Sequence, residues 1–180
     1  MVPRYSALFL AIAVANAPLS TDAKSRQVFP PGTMVLAGSP VQCGNAQTVV
    51  TPIDDIAMAY PGTILLDPDL FAMPDAIQHF WYAHECAHQL FGYDEVAADC
   101  WAIQTGKQWG WFASYDFEWM DRNFIYLRGS AKHPPGPKRL ANLKGCYAKA
   151  TKAGPPPPQP MQVASTATCA AAGHWRDVEP

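Results

Sequence analysis

The chain carries little net charge and no apolar run long enough to cross a membrane. Its 180 residues include 13 Lys and Arg against 15 Asp and Glu, which leaves a formal net charge of −2. Such a balance gives no electrostatic reason to expect nucleic acid or an anionic membrane surface as a partner. The longest apolar run, "ALFLAIAVA" at residues 7–15, is too short to span a bilayer. With no internal repeat visible, the sequence favours one globular domain.

The N-terminus predicts an export signal. Arg4 supplies a positive start, the apolar run follows, and small residues up to Ala17 offer A-x-A cleavage sites. We expect a signal peptide at residues 1–17, with cleavage as late as residue 23 because Pro18 disfavours cleavage directly after Ala17. The mature protein is then secreted or periplasmic, without stable insertion in a membrane.

Export changes the interpretation of the five cysteines, because disulfides persist outside the cytoplasm. Cys169 lies near the C-terminus and is expected to stay unpaired. The other four, Cys43, Cys86, Cys100 and Cys146, allow three pairings. We expect a bridge between Cys86 and Cys100, since a tight antiparallel helix pair would bring them together, and the other pairings remain open.

Composition divides the rest of the chain into three parts. Residues 18–47 are rich in Pro, Gly, Ser and Ala without a clear period, and predict a loosely ordered segment. Residues 48–150 hold most of the aromatic side chains and predict the folded domain. The run "GPPPPQP" then prefers an extended, solvated chain, so residues 151–180 are expected to form a disordered Pro/Ala-rich tail.

The folded part predicts an α+β domain, with a small β-hairpin or sheet followed by a helical core. Two β-like runs flank the turn Tyr60-Pro61-Gly62, which indicates a hairpin. Helices are expected to follow, since Pro74 and Asp94 suit helix starts and Gly92 a helix end. The predicted helices are 74–92, 95–105, 113–127 and 137–150.

A short motif on the first predicted helix carries the chemistry. His84-Glu85-Cys86-Ala87-His88 is an H-E-x-x-H sequence. Four residues make just over one helical turn, so both imidazoles project from one face at a separation that one Zn²⁺ can bridge. Glu85 is offset around the helix and can reach a metal-bound water without binding the metal itself. We therefore predict a zinc site with His84 and His88 as ligands.

A catalytic zinc needs a third protein ligand and keeps one position open. Glu95 and Asp94, at the start of the next predicted helix, compete for that position. Glu95 has Asp99 four residues later on the same helical face. Asp99 could thus accept the outer N–H of a ligating histidine while Glu95 binds the metal. The sequence favours Glu95 and leaves Asp94 as the alternative.

The motif order is similar to that of a known family. H-E-x-x-H is followed by E-x-x-A-D at residues 95–99 and by "HPPGPKR" at residues 133–139. These motifs resemble those of the gluzincin zinc metallopeptidases, nearest to the small soluble relatives of the HtpX and CAAX prenyl protease group. The resemblance implies a zincin-like core over residues 48–150, with Glu95 as third zinc ligand and Asp99 behind it. It also implies that the strand at residues 64–66 lines the cleft.

The resemblance implies a reaction as well. Zinc would make a bound water acidic enough to supply hydroxide near neutral pH. Glu85, as general base, would take the proton and return one to the leaving amine. His133 is the first candidate for a donor to the oxyanion and Tyr93 the second, while Arg139 would orient substrate or an acid in the wall. We therefore expect an exported zinc-dependent metallopeptidase that acts on peptides or proteins.

Two non-catalytic functions remain open. Zinc could staple two helices in an exported binding protein, or the disulfides could stabilise an interaction module without metal. Structural zinc sites fill all four positions with protein ligands, typically including cysteine. Glu85 would have no purpose in either alternative, so the sequence favours catalysis. It carries no prediction of substrate specificity or oligomeric state.

Overall fold

The computed structural model describes residues 26–130 and 133–151, and within them two small sheets and four helices form an α+β fold, as predicted. The predicted signal peptide and nearly all of the predicted tail, including Cys169, lie outside the described residues. The strands are β1 (Gln27–Phe29), β2 (Met34–Leu36), β3 (Ser39–Val41), β4 (Gln47–Val50), β5 (Ala57–Tyr60) and β6 (Thr63–Leu66). The helices are α1 (Asp75–Phe91), α2 (Glu95–Trp109), α3 (Phe117–Phe124) and α4 (Gly136–Lys149), with 3-10 turns at Pro68–Ala72 and Ser114–Asp116.

The main sheet has the strand order β1-β4-β6-β5, in which β4 and β6 are parallel and the other neighbours antiparallel. β5 and β6 form the predicted hairpin, while β2 and β3 form a separate one. The prediction of a loosely ordered segment at residues 18–47 is wrong for its described part, because β1 to β3 lie there. These strands have only three residues each, and so short an alternation is hard to recognise in a sequence.

α1 lies between the sheet and α2. It packs against β5, β6 and α2, and α2 packs in turn against α4. Nearly every side chain from Ala76 to His88 is buried, and these include three imidazoles and a carboxyl group. Burial of such groups is unfavourable unless partners satisfy them. The most enclosed helix of the fold is therefore the one that carries the H-E-x-x-H motif.

A connection of three residues brings the start of α2 close to the end of α1. Gly92 ends α1 with a φ of 59°, a conformation that favours glycine, and its N–H donates to the His88 carbonyl. The Asp94 side chain accepts a hydrogen bond from the Ala97 N–H at 2.9 Å and so caps α2. Both predicted boundaries are confirmed here.

The later helices differ in length from those predicted. α2 continues through Gly106 to Trp109. Gly106 therefore does not end the helix but lies inside it, packed against Trp111 and Phe112. A side chain on Gly106 would place its Cβ 2.7 Å from the Phe112 Cβ. The helix predicted at residues 113–127 is a 3-10 turn followed by the shorter α3. Glycine is needed at position 106 for close packing and not for helix termination, so the prediction that this helix ends at residue 105 is wrong.

Two disulfides connect distant segments, Cys43 with Cys86 and Cys100 with Cys146. The predicted pairing of Cys86 with Cys100 is wrong. Cys86 lies about 200° around α1 from His84, and the His84 face is the one that meets α2. Cys86 therefore points away from α2.

The two bridges fit a protein of an oxidising, extracytoplasmic compartment. None of the helices in the described ranges combines the length and the apolar character needed to cross a membrane.

Candidate metal centre

Two imidazoles of α1 converge on one buried point. The Nε2 atoms of His84 and His88 lie 3.1 Å apart, and both side chains are almost entirely removed from solvent. Their four-residue spacing accounts for this geometry, since one helical turn places both rings on the same face. The face they share is the one that α2 covers.

Glu95 supplies a carboxylate oxygen from the first turn of α2. Its Oε2 lies 3.1 Å from the His84 Nε2 and 3.6 Å from the His88 Nε2. Asp94, the alternative ligand, instead uses its carboxylate to cap α2. The structure thus brings together His84, His88 and Glu95, while Asp94 serves the helix end.

The outer nitrogen of each imidazole faces an acceptor. His84 Nδ1 lies 2.9 Å from Oδ1 of Asp99, and His88 Nδ1 lies 2.6 Å from the carbonyl oxygen of Gly92. A lone pair at either Nδ1 would face another lone pair at short range, which favours the proton at each Nδ1, although the Asp99 oxygen is not aligned for a hydrogen bond with His84. Each Nε2 of the neutral rings then presents a lone pair to the other and to Glu95. The contact expected between Asp99 and a histidine is present; its role at a metal stays a prediction.

Three acceptors facing one another in a buried site repel unless a cation lies between them. Metal–ligand bonds of 2.0–2.2 Å would place neighbouring tetrahedral ligands roughly 3.3–3.6 Å apart, close to the 3.1, 3.1 and 3.6 Å measured here. Ligand atoms of His84, Glu85 and His88 also lie within 4.8 Å of one another. This buried group could bind a metal ion.

In the metal-free protein a proton takes the place of the cation. Burial alone lowers the pKa of His84, but the contacts with Asp99 and Glu95 outweigh it and raise that pKa to about 9. Burial would raise the pKa of Glu95, yet His84 and His88 hold it well below its usual range. The pKa values of this cluster therefore describe a site that must release a proton before it binds a metal.

Arg139 reaches the cluster from α4. Its Nε and Nη2 donate to the two carboxylate oxygens of Asp99 at 2.8 and 2.7 Å, and both side chains are buried. Burial raises the pKa of Asp99, but His84 and Arg139 more than offset it, so the net pKa lies below its usual value. Of the two tasks predicted for Arg139, the contact with an acid is the one present.

A cavity of about 630 Å³ opens over the cluster. Glu85 and Tyr93, both predicted site residues, line it. Burial raises the pKa of Glu85, opposed by the two histidines and reinforced by the carboxylates of Glu95 and Asp55. Glu85 thus lines the cavity beside the imidazoles, with a carboxylate oxygen within 4.8 Å of a ring nitrogen of each.

The prediction that residues 64–66 line the cleft is wrong. β6, with Ile64 and Leu66 fully buried, lies inside the sheet between β4 and β5. The edge strand β5 lines the cavity instead, through residues 57–59. Hairpin order alone does not say which of two strands takes the edge, because that depends on β4 pairing in parallel with β6.

His133 also lines the cavity, at the residues preceding α4. Its Nδ1 lies 3.3 Å from Oε2 of Glu95. The structure thus brings seven of the eight predicted site residues to one cavity: His84, Glu85, His88, Tyr93, Glu95, His133 and Arg139. The eighth, Asp99, lies outside the cavity, behind His84.

Sequence reasoning missed two contributors to the site. The Gly92 carbonyl that orients His88 has no sequence signal, since any residue has a carbonyl group. Trp81 has no specific signal either, because an aromatic residue on a largely apolar helix is expected to belong to the core. Its ring lies 5.1 Å from the Arg139 guanidinium carbon, as part of the wall that encloses the buried charge.

Comparison with protein-family models, with curated proteins and with solved structures found no match. The resemblance to gluzincins therefore rests on the motif residues themselves, and membership of that family stays a prediction.

Proposed function

We propose that this protein is an exported zinc-dependent metallopeptidase with a gluzincin-like site. The observation that carries the proposal is the convergence of His84 Nε2, His88 Nε2 and Glu95 Oε2 within 3.1–3.6 Å in a buried position. No proton donor satisfies all three in the neutral state, and a divalent cation does. Two imidazoles and one carboxylate are also the donor set of catalytic zinc sites that keep a fourth position open.

The cysteines support a catalytic site over a structural one. Structural zinc is usually held by thiolates, and all four cysteines within the described ranges are paired in disulfides. Glu85 adds a second argument, because three ligands are already available from His84, His88 and Glu95, and Glu85 is a buried carboxyl group with a raised pKa beside them. Perturbed acids of this kind are typical of proton-transfer groups. The two disulfides also support the export part of the proposal.

Bound zinc would supply an acidified water and polarise the scissile carbonyl. The chain's own residues would do the rest. Glu85 would accept the proton of the attacking water and deliver one to the leaving amine. Tyr93 and His133, which line the same cavity, are the candidate donors to the developing oxyanion. Asp99 would keep the His84 ring in the tautomer that offers Nε2 to the metal.

β5 offers a binding surface for the substrate chain. Within the described residues β6 pairs with one edge of β5 and no strand pairs with the other, and residues 57–59 line the cavity. An extended peptide could add to that edge as a further strand, which positions its backbone without demanding a particular sequence. The substrate class proposed is therefore an extended peptide or an unfolded protein segment.

The test is peptide hydrolysis by zinc-loaded protein against a broad peptide library. We expect cleavage that a chelator abolishes and added zinc restores. Glu85→Gln should retain one zinc per chain but lower turnover about 10²–10⁴-fold, since it removes the general base.

Glu118→Gln is the matched control. It changes an exposed glutamate of α3 that is paired with Arg122 at 4.0 Å. This variant should keep full activity. Turnover by Glu85→Gln at the rate of the control would remove the proposed base, and a zinc-loaded protein that cleaves no peptide in the library would count against the peptidase.

A further inference from the structure

A short, tightly closed loop carries His133 back to the cluster. We use "the His133 loop" for the described residues 127–130 and 133–136. The Gly136 N–H donates to the Leu127 carbonyl at 2.8 Å and closes the loop at its base. Inside it, the Ser130 N–H donates to the His133 carbonyl at 2.9 Å, and the His133 N–H donates to the Ser130 hydroxyl oxygen at 3.0 Å. These reciprocal bonds fix the backbone from which the imidazole projects.

The base of the loop tolerates no side chain. A Cβ on Gly136 would collide with the Phe124 carbonyl oxygen. At Gly129, φ is +79° and a Cβ would lie 2.6 Å from the Pro135 nitrogen. Both positions therefore suit glycine alone, and the loop is built to approach α3 and itself this closely. His133 is delivered to the cavity by a shaped segment.

The inner nitrogen of His133 is unsatisfied. Its Nδ1 is buried and has no hydrogen-bond partner in the part of the chain that the structure describes. The side chain is 36% exposed, so the rest of the ring faces solvent. Glu95 Oε2 lies 3.3 Å away, without forming a hydrogen bond. An N–H at Nδ1 would lack an aligned acceptor, and a lone pair there would face a carboxylate.

A cation at the cluster removes this conflict. Oε2 of Glu95 is 3.1, 3.6 and 3.3 Å from the nitrogens of His84, His88 and His133, so all three separations match neighbouring ligands around one metal. We propose that Nδ1 of His133 is a fourth protein ligand of the metal in the substrate-free protein. The proposal rests on the metal site proposed above and adds a ligand that the resemblance to gluzincins does not assign.

Four protein ligands close a site that three would leave open. His133 then occupies the position that substrate needs, so the His133 loop must move, or the coordination number must rise to five, before a peptide carbonyl can bind. The candidate role of His133 toward the oxyanion would follow its release from the metal. The substrate-free protein is in this view a capped form of the enzyme.

Cadmium-113 NMR of the intact protein, with ¹⁵N-labelled histidine, tests the proposal without a substitution. We expect one bound cadmium coupled to three imidazole nitrogens, two of Nε2 type and one of Nδ1 type. Coupling to only two would overturn the fourth ligand while leaving the proposed metal site in place. Absence of bound cadmium and zinc from the protein would overturn both.

His133→Ala provides a second readout. Loss of a direct ligand should weaken zinc binding by more than about 10-fold, the lower bound for loss of an outer partner. Millimolar imidazole should restore the affinity. The control is Lys138→Gln, an exposed residue in the first turn of α4 that does not line the cavity. Equal zinc affinity in the two variants, both checked for folding by circular dichroism, would contradict the proposal.

Discussion

His84 and His88 lie one turn apart on α1 and offer the same nitrogen to the same point, yet different parts of the molecule hold them. His84 is oriented by the carboxylate of Asp99. That carboxylate in turn accepts two hydrogen bonds from Arg139 of α4. His88 is oriented by the backbone carbonyl of Gly92, where its own helix ends. One imidazole thus depends on a buried charge pair between distant segments, and the other on a local backbone turn.

The difference predicts which ring is vulnerable to substitution. A side-chain change can remove the support of His84, because that support consists of side chains. No substitution removes the carbonyl group that supports His88. Zinc affinity should therefore respond strongly to changes behind His84 and weakly to changes behind His88.

The largest effect is expected from Arg139→Met. It leaves the Asp99 carboxylate buried without its guanidinium partner, which costs about 3–5 kcal/mol when one member of a buried pair is removed. Urea unfolding of the metal-free protein measures the loss. Arg122→Met, at a side chain 70% exposed and paired only weakly with Glu118, should stay within about 1 kcal/mol of wild type. Equally small losses of unfolding free energy in both variants would mean that the buried pair of Arg139 and Asp99 does not stabilise the fold.

Next in size is Asp99→Asn, which keeps the shape but removes the charge behind His84. Zinc should bind about 10–100-fold more weakly, the range found when an outer hydrogen-bond partner of a ligand is lost. Competition with a chromophoric chelator gives the dissociation constant.

Gly92→Ala tests the support of the other ring, His88. At φ 59° an alanine is strained, so the free energy of unfolding should fall by about 1–3 kcal/mol. The carbonyl group remains, so zinc affinity should change little. Larger loss of affinity in Gly92→Ala would invert the comparison.

The smallest expected effect, per pH unit, is a pH dependence of the free energy of unfolding of the metal-free protein. The pKa of His84 is raised from 6.5 to about 9, so the folded state holds its proton more tightly than the unfolded state. The resulting stability is fully present below pH 6.5 and is lost as pH rises through about 9, at no more than about 1.4 kcal/mol per pH unit. Denaturation curves between pH 6 and 9.5 measure it. Zinc-saturated protein should show no such loss, because the metal replaces the proton; the same decline with zinc bound would contradict this.

Local geometry explains the part of the site that could be predicted. The spacing of His84 and His88 is a property of any helix, and the four-residue spacing of Glu95 and Asp99 places both acids on one face of the next. Gly92 and Asp94 mark the helix ends by backbone conformation and capping, both readable from residue type. With these boundaries, the acids meet the imidazoles once the two helices pack.

Long-range packing explains what was missed. The pairing of Arg139 with Asp99 joins residues 40 apart in the chain, and the exact partners of the cysteines depend on which face of α1 meets α2. Helical geometry places Cys86 opposite His84, and the pairing prediction was wrong because the histidine face is the one that contacts α2. The three-residue strands before β4 are too short to produce a recognisable pattern, so order there was not expected.

The most direct test of the account is an anomalous difference map at the zinc absorption edge, from a crystal of zinc-loaded protein. The account predicts one strong peak at 2.0–2.2 Å, within about 0.2 Å, from Nε2 of His84, Nε2 of His88 and an oxygen of Glu95. A map without a peak between these atoms, or with the zinc bound only elsewhere on the protein, would contradict it.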